Sequence, residues 1–364
     1  MTTSNVQFLT RDGIEGHKRL PLRHLIPRPL RLAASAYLAR RRSAQLQHDL
    51  AAMAARRMPI VAGPWLGEVG FELLYWVPFL RWFAERFSVP PERLMVVSRG
   101  GTSSWYRPFA SRYCEVFDQV TPDTFRGQHD ARVRDLGEQK QTRLTEFDRE
   151  LIDAATRKAN VSDSSLLHPS RMYEVLNPYW WGHLSSGWVH QHTRYARLSE
   201  PDRTADIDTP ERYVAVKFYF NDCFPANTQN RAFVRDVLRT LAGRGPVVAL
   251  STGLNIDDHG GVGLDEYGVR HLPEGIDPAH NLHVQSAVVS RAQAFVGTYG
   301  GFSYMAPFYG IRSLAFYSDP AGFSQKHLHM ARSAFETIGT TGLLDVRDAA
   351  AGAEAVDHVG AAGP

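Results

Sequence analysis

An α/β protein built from two Rossmann-like, doubly wound domains is the fold class the sequence predicts, on three observations. Strand-like and helix-like segments alternate with short connections through residues 212–345, which specifies a parallel sheet covered by helices. A strand–helix–strand unit of about 40 residues after Pro59 announces a second such sheet nearer the N-terminus. Residues 199–211, with two prolines and the acids Glu200, Asp202, Asp206, Asp208 and Glu211, read as the linker between them.

The chain of 364 residues suffices for two cores, and its 43% apolar and 22% charged content is that of a globular protein. Prolines 21, 27 and 29 break the start into an irregular arm. Residues 30–57, rich in Ala, Leu, Gln and Arg, predict a helix with Leu46, Leu50 and Met53 on one face. That helix is either solvated and packed on the domain or a basic amphipathic helix on anionic lipid. The N-terminal domain, residues 58–198, opens with a strand at Ile60–Ala62, a glycine-bearing turn, an apolar helix over 71–87 and a strand at Leu94–Ser98. A third strand is expected at 115–120 and a polar helix at 139–159, with Leu144, Phe147, Leu151 and Ile152 as its stripe. Residues 161–198 are aromatic-rich and take no clear assignment. The C-terminal domain, 212–345, reads as strands at 213–219, 247–250, 269–272, 294–297 and 313–317, with helices at 231–242, 282–291 and 301–309. Residues 346–364 read as a tail.

Charge is uneven. Residues 1–57 hold 11 Lys and Arg against 3 Asp and Glu, so a net +3 for the whole chain leaves the body at −5. The arm suits an anionic surface, whereas the body does not look like a nucleic-acid binder. Two distant cysteines, Cys114 and Cys223, form no disulfide framework or metal pair and fit a cytoplasmic location. The most apolar run, 73–80, contains Pro78 and falls short of the roughly 18 residues a membrane span needs. Residues 32–39 are too weakly apolar for a signal peptide.

The segment Phe295-Val-Gly-Thr-Tyr-Gly-Gly-Phe-Ser303 carries the most chemistry. A strand runs into Gly300 and Gly301 and a helix begins at once. Such a helix start aims backbone N–H groups at an anion, with Thr298 and Ser303 adding hydroxyls. The other reading is a tight turn that needs glycine for packing alone. The stretch from Asn281 through Gly301, with Gly310 and Ser313-Leu-Ala-Phe after it, resembles the donor-nucleotide domain of glycosyltransferases of the GT-B fold, bacterial heptosyltransferases among them. The resemblance covers roughly residues 212–320, and Gly297 stands where that family usually has an acid. It implies two Rossmann-like domains facing across a cleft (GT-B-like), with a nucleotide-sugar donor as substrate in that cleft and no cofactor. It further implies Lys217 or Arg231 at the pyrophosphate, Asn227 on the loop between them, Ser251 and Thr252 at the next strand end, and Asp277 and Asn281 at the ribose or base.

The second motif, Gly63-Pro-Trp-Leu-Gly-Glu-Val-Gly-Phe-Glu72, resembles a Gly-Glu-x-Gly-x-Glu stretch of bacterial surface-polysaccharide transferases. In a GT-B protein this loop lines the acceptor side. Glu68 is then the first candidate for the base that deprotonates an acceptor hydroxyl, and Glu72 the second. Both are equally readable as ordinary first-turn acids. Gly67, Gly70, Arg99, Gly100 and Gly101 would line the same side. Tyr179, Trp180, Trp181 and Trp188 either stack a sugar or lipid acceptor or pack a core. No metal site is expected: Asp206-Ile-Asp208 lies in the linker, and His327 and His329 are spaced to point apart on a helix. The function these readings imply is hexosyl or related transfer from a nucleotide-sugar to a hydroxyl acceptor, in cell-surface polysaccharide or glycoconjugate synthesis, with peripheral membrane attachment through residues 1–57. The alternatives are a nucleotide-sugar epimerase and a non-catalytic membrane-associated binding protein.

Overall fold

The structure, a computed structural model, describes residues 27–137, 140–202, 207–254, 260–261, 268–357 and 359. The first sheet comprises β1 (Ile60–Ala62), β2 (Leu94–Ser98), β3 (Arg112–Glu115) and β4 (Ser165–Leu167), all parallel, in the order β3-β2-β1-β4. Ile60, Ala62, Leu94 and Val96 enter one hydrophobic cluster, and Val61, Met95, Val97 and Cys114 a second. Burial on both faces is why these strands read as continuous apolar runs.

Three expectations in this half need correction. The third strand ends where residues 115–120 were expected to begin it. Glu115 pairs in register with Ser98, and its carboxylate then accepts from Phe117 N at 3.0 Å, which turns the chain out of the sheet. The polar helix is shorter, Glu146–Lys158, because Thr145 and Asp148 form a capping box that fixes its start. The apolar helix comprises a turn at Val69–Phe71, a π-helical stretch at Glu72–Trp76 and a regular helix at Val77–Arg86. The unassigned aromatic segment supplies β4 and the helices Pro169–Trp180 and Ser186–Gln191. The first helix, Arg28–Ala55, buries Ser43, Leu46, Leu50 and Ala54 and packs on Pro169–Trp180.

The second half contains β5 (Val214–Lys217), β6 (Tyr219–Phe220), β7 (Val247–Ala249), β8 (Gly260–Gly261), β9 (Arg270–His271), β10 (Ala294–Thr298), β11 (Arg312–Tyr317) and β12 (Leu344–Asp348). Six of these form a parallel sheet in the order β12-β11-β10-β5-β7-β9, and β6 pairs antiparallel with β8. Counted within this half, that is the doubly wound order 3-2-1-4-5-6, whose direction reverses between β5 and β10. The first sheet has the first four strands of the same order and reverses between β1 and β4. The strand expected over 213–219 is two strands, because Thr298 Oγ1 accepts from Tyr219 N and donates to Tyr219 O, drawing the chain aside. Strand β12 crosses the expected domain end, and Ala355 and Val356 beyond it are buried against the Thr228–Ala242 helix, so residues 344–356 belong to this half.

The carboxyl ends of the two sheets face each other and touch. Gly70, beyond β1, meets Gly301, beyond β10, so closely that a Cβ on Gly301 would lie 2.5 Å from Gly70 N. Beside them His283 N donates to Gly100 O at 2.8 Å, and Trp105 Nε1 donates to Tyr309 Oη at 3.1 Å. Along this line the expected cleft is closed.

Candidate functional site

The reversal between β5 and β10 is where a doubly wound sheet presents a crevice to a ligand. Lys217 ends β5 there. Its ammonium bonds Gln285 Oε1 and lies 3.7 Å from the Phe302 ring centroid. Gln285 in turn donates to Asn281 Oδ1 at 2.8 Å, which also accepts from Thr252 Oγ1 at 2.8 Å. Asn281 and Gln285 are buried at the start of the Asn281–Arg291 helix, and Ser251 and Thr252 are half-buried beyond β7. Four side chains, Lys217 and Thr252 at strand ends and Asn281 and Gln285 on the Asn281–Arg291 helix, thus form one polar chain. Gln285 was missed from sequence, although an amide one turn after Asn281 in an apolar helix was its signal.

The glycine-rich turn itself is arranged differently from the sequence expectation. Thr298 and Ser303 are fully buried. Thr298 is held by Tyr219, and Ser303 Oγ accepts from Gly300 N at 3.2 Å and donates to Gly300 O at 2.7 Å. Their hydroxyls serve the turn, and Gly300 N is already bonded. Gly301 is half-covered by Gly70. Gly297 pairs with Lys217 in the sheet, where a Cβ would lie 2.1 Å from the Lys217 carbonyl oxygen. No side chain has room at this position.

Three further donor-side candidates have structural roles. Asn227 and Asp277 are exposed and cap their own helices, accepting from Asn230 N at 2.7 Å and from Ala279 N at 2.9 Å. Arg231 is exposed, with its guanidinium 4.6 Å from the Phe220 ring centroid.

Across the contact, the loop after β1 carries two unlike acids. Glu68 is 53% exposed at its side chain and pairs with Lys140 Nζ at 2.6 Å; the same ammonium lies 3.8 Å from the Phe71 ring centroid. Glu72 is wholly buried in the π-helical stretch. Ser98 Oγ donates to its Oε1 at 2.7 Å and Tyr106 Oη donates to the same oxygen, while Oε2 has no hydrogen-bond partner. Burial raises the Glu72 pKa from 4.5 to about 7, against the lowering effect of Arg99 and the two hydroxyls. Arg99 is buried and donates to Gly67 O at 2.7 Å. Gly100 N and Gly101 N each donate to Glu115 at 2.8 Å. Arg99 and its glycines therefore hold the loop in shape rather than line an open acceptor surface. Gln141, also missed, pins the same loop by accepting from Leu66 N and donating to Pro64 O, both at 2.8 Å.

Between the two sides lies an aromatic group. Phe71 is ringed by Tyr75, Tyr173, Trp180 and His327 at 4.8 to 6.4 Å between ring centroids. Tyr75 Oη and His327 Nδ1 are 2.7 Å apart, and burial lowers the His327 pKa to about 3. Tyr179 is buried beside it and donates its hydroxyl to Lys326 O at 3.1 Å. Trp188 donates to Val175 O at 2.8 Å, and Trp181 is exposed. His329 lies exposed near Ser186. Asp206 falls outside the described residues, and among those described no three His, Cys, Asp or Glu side chains are grouped to hold an ion.

No protein-family model matches the sequence, and no curated protein matches it. Among solved structures, the chain is similar to the glycosyl transferase family 9 protein from Veillonella parvula, at 11% identity and a TM-score of 0.43, covering 80% of this chain and 86% of that one. It is likewise similar to the E. coli ADP-heptose LPS heptosyltransferase II, at 11% identity and a TM-score of 0.40, covering 80% and 89%. The architecture itself is defined by the strand order and by the strand ends that meet.

Proposed function

We propose that the protein is a glycosyltransferase that moves a sugar from a nucleotide-sugar to a hydroxyl acceptor without a metal, in cell-surface polysaccharide or glycoconjugate synthesis. The observation that carries this reading is the polar chain Lys217–Gln285–Asn281–Thr252 at the point where the second sheet reverses, opposite the loop that bears Glu68. A single lysine among neutral amides and hydroxyls suits a diphosphate and a ribose. In an inverting reaction the acceptor oxygen bonds the anomeric carbon, the carbon–phosphate-oxygen bond breaks, Lys217 meets the charge on the departing nucleoside diphosphate, and the acceptor proton passes to Glu68. Glu68 is preferred over Glu72 because its carboxylate reaches solvent. Donor access requires the Gly70–Gly301 contact to part.

Calorimetric titration with uridine, guanosine, adenosine and cytidine diphosphates tests the donor side. One of them should bind, and Lys217→Ala should weaken it by about ten- to a hundredfold, the worth of a hydrogen bond to a charged group. Glu68→Gln should keep that affinity and lower turnover by about a hundredfold or more. The Gly70–Gly301 contact favours one second reading, a non-catalytic binding protein. Under it none of the four nucleotides binds and neither substitution has an effect.

A further inference from the structure

We infer that the outward face of the first half of the Arg28–Ala55 helix is a docking site for an anionic membrane surface. The inference is independent of the reaction proposed above. The inward face of this helix is fixed by Ser43, Leu46, Leu50 and Ala54, which are buried in the domain. The opposite face of a surface helix should be polar. Here it carries Leu30, Tyr37 and Leu38, which are 61%, 64% and 52% exposed and stand seven and eight residues apart, on one side. Six large apolar side chains are exposed among the described residues, and these are three of them. The remaining three are scattered over Val133, Leu136 and Trp181.

Charge decides what covers this face. One helical turn on from Tyr37 and Leu38 come Arg40, Arg41 and Arg42, all exposed, and the whole helix has five arginines against one acid, Asp49. Exposed apolar side chains flanked by arginines match the layered chemistry of an anionic bilayer, with hydrocarbon below phosphate. A nucleic acid would use the arginines and leave the apolar three in water. A second copy of the chain would bring arginines against arginines. No helix among the described residues is long and apolar enough to cross a membrane, so attachment through this face lies along the surface.

Flotation of the full chain with lipid vesicles tests the site. The protein should float with equimolar phosphatidylcholine and phosphatidylglycerol and stay behind with phosphatidylcholine alone. The combined substitution Arg40→Glu, Arg41→Glu and Arg42→Glu should weaken that binding by about a hundredfold or more. Leu30→Ser, Tyr37→Ser and Leu38→Ser together should abolish the part that survives high salt. A thermal midpoint equal to that of the wild type shows that either variant is folded, since every substituted side chain is exposed. Vesicle binding that neither variant changes, or no binding by the wild type, overturns the inference. So does a doubled mass in solution that the serine variant restores to one chain, which would make this face a contact between copies.

Discussion

Two loops meet at the centre of this molecule and are built alike. Residues 63–72 follow β1 and residues 298–303 run on from the last residue of β10; each stretch leaves a central strand, turns on glycine and opens a short apolar helix, and Gly70 and Gly301 touch. Their polar groups are used in opposite ways. The first loop places ionisable groups together: Glu68 pairs with Lys140, and Glu72 bonds Ser98 and Tyr106 while the charge of Arg99 lowers its pKa. The second places only hydroxyls, and all are bonded within the protein: Thr298 to the Tyr219 backbone, Ser303 to the Gly300 backbone and Tyr299 to Tyr304. Sequence pattern treats the two as equivalent glycine turns, whereas the structure puts titratable chemistry on one side and a neutral scaffold on the other. Under the function proposed above, proton transfer falls to the N-terminal half and the charge on the second side to Lys217.

The largest test of the division is titration of Glu72. Its folded pKa of about 7 exceeds the ordinary 4.5, so its favourable contribution is fully present below 4.5 and is lost as pH rises through about 7. The loss is about 3 kcal/mol over that window. His327, packed on Phe71 and Tyr75, acts the other way. With its pKa depressed from 6.5 to about 3, its contribution is present above 6.5 and is lost as pH falls. The two partly cancel, so the wild-type curve alone is uninformative. Glu72→Gln keeps an acceptor for Ser98 and Tyr106 and cannot ionise. Urea unfolding of both proteins across the window should show the wild type losing about 3 kcal/mol relative to the variant as pH rises. A flat difference curve would mean that Glu72 is not held as the geometry indicates.

Thr298→Val should give a smaller effect of a different kind. It removes the two bonds that Thr298 Oγ1 makes to the buried backbone of Tyr219. The expected loss is about 2 kcal/mol. It should be the same at every pH in the Glu72 window, because no ionisable group is involved. A pH-dependent loss measured by the same unfolding experiment would erase the contrast between the loops.

Much of this division was visible in sequence, and the invisible part has a common cause. The apolar runs of β1, β2 and β10 and the glycine turns after them follow from local pattern, since strands buried on both faces must read as continuous apolar stretches. Glu68 and Glu72 stand out as acids beside glycines, yet nothing local tells that one is half-exposed and the other wholly buried. That difference is made by Ser98, Tyr106 and Arg99, 26 or more residues away. Likewise a hydroxyl after a strand looks the same whether it faces a phosphate or, as Thr298 does, a backbone 79 residues distant. Asn227 and Asp277 could have been recognised, because Asn and Asp directly before a helix are its usual caps. Gly297 marks the reverse case. Its need for glycine comes from the Lys217 carbonyl on the neighbouring strand, which no window of sequence contains.

The finest test concerns Ser303, where the two uses of a hydroxyl predict different measurements. In the structure Ser303 Oγ ties the first turn of the Gly301–Phe308 helix, accepting from Gly300 N and donating to Gly300 O. Ser303→Ala should therefore cost about 1 kcal/mol of stability, the worth of a helix cap, with no dependence on pH. Under the same reading, affinity for the nucleoside diphosphate that binds the wild type should stay within about twofold, because no bond to the ligand is lost. A hydroxyl aimed at a phosphate predicts the inverse, unchanged stability and an affinity about tenfold weaker. Unfolding and calorimetric titration of this one variant therefore separate a turn that supports the site from a turn that forms it. The second result would return the anion-binding role to the loop after β10 and remove the contrast with the loop after β1.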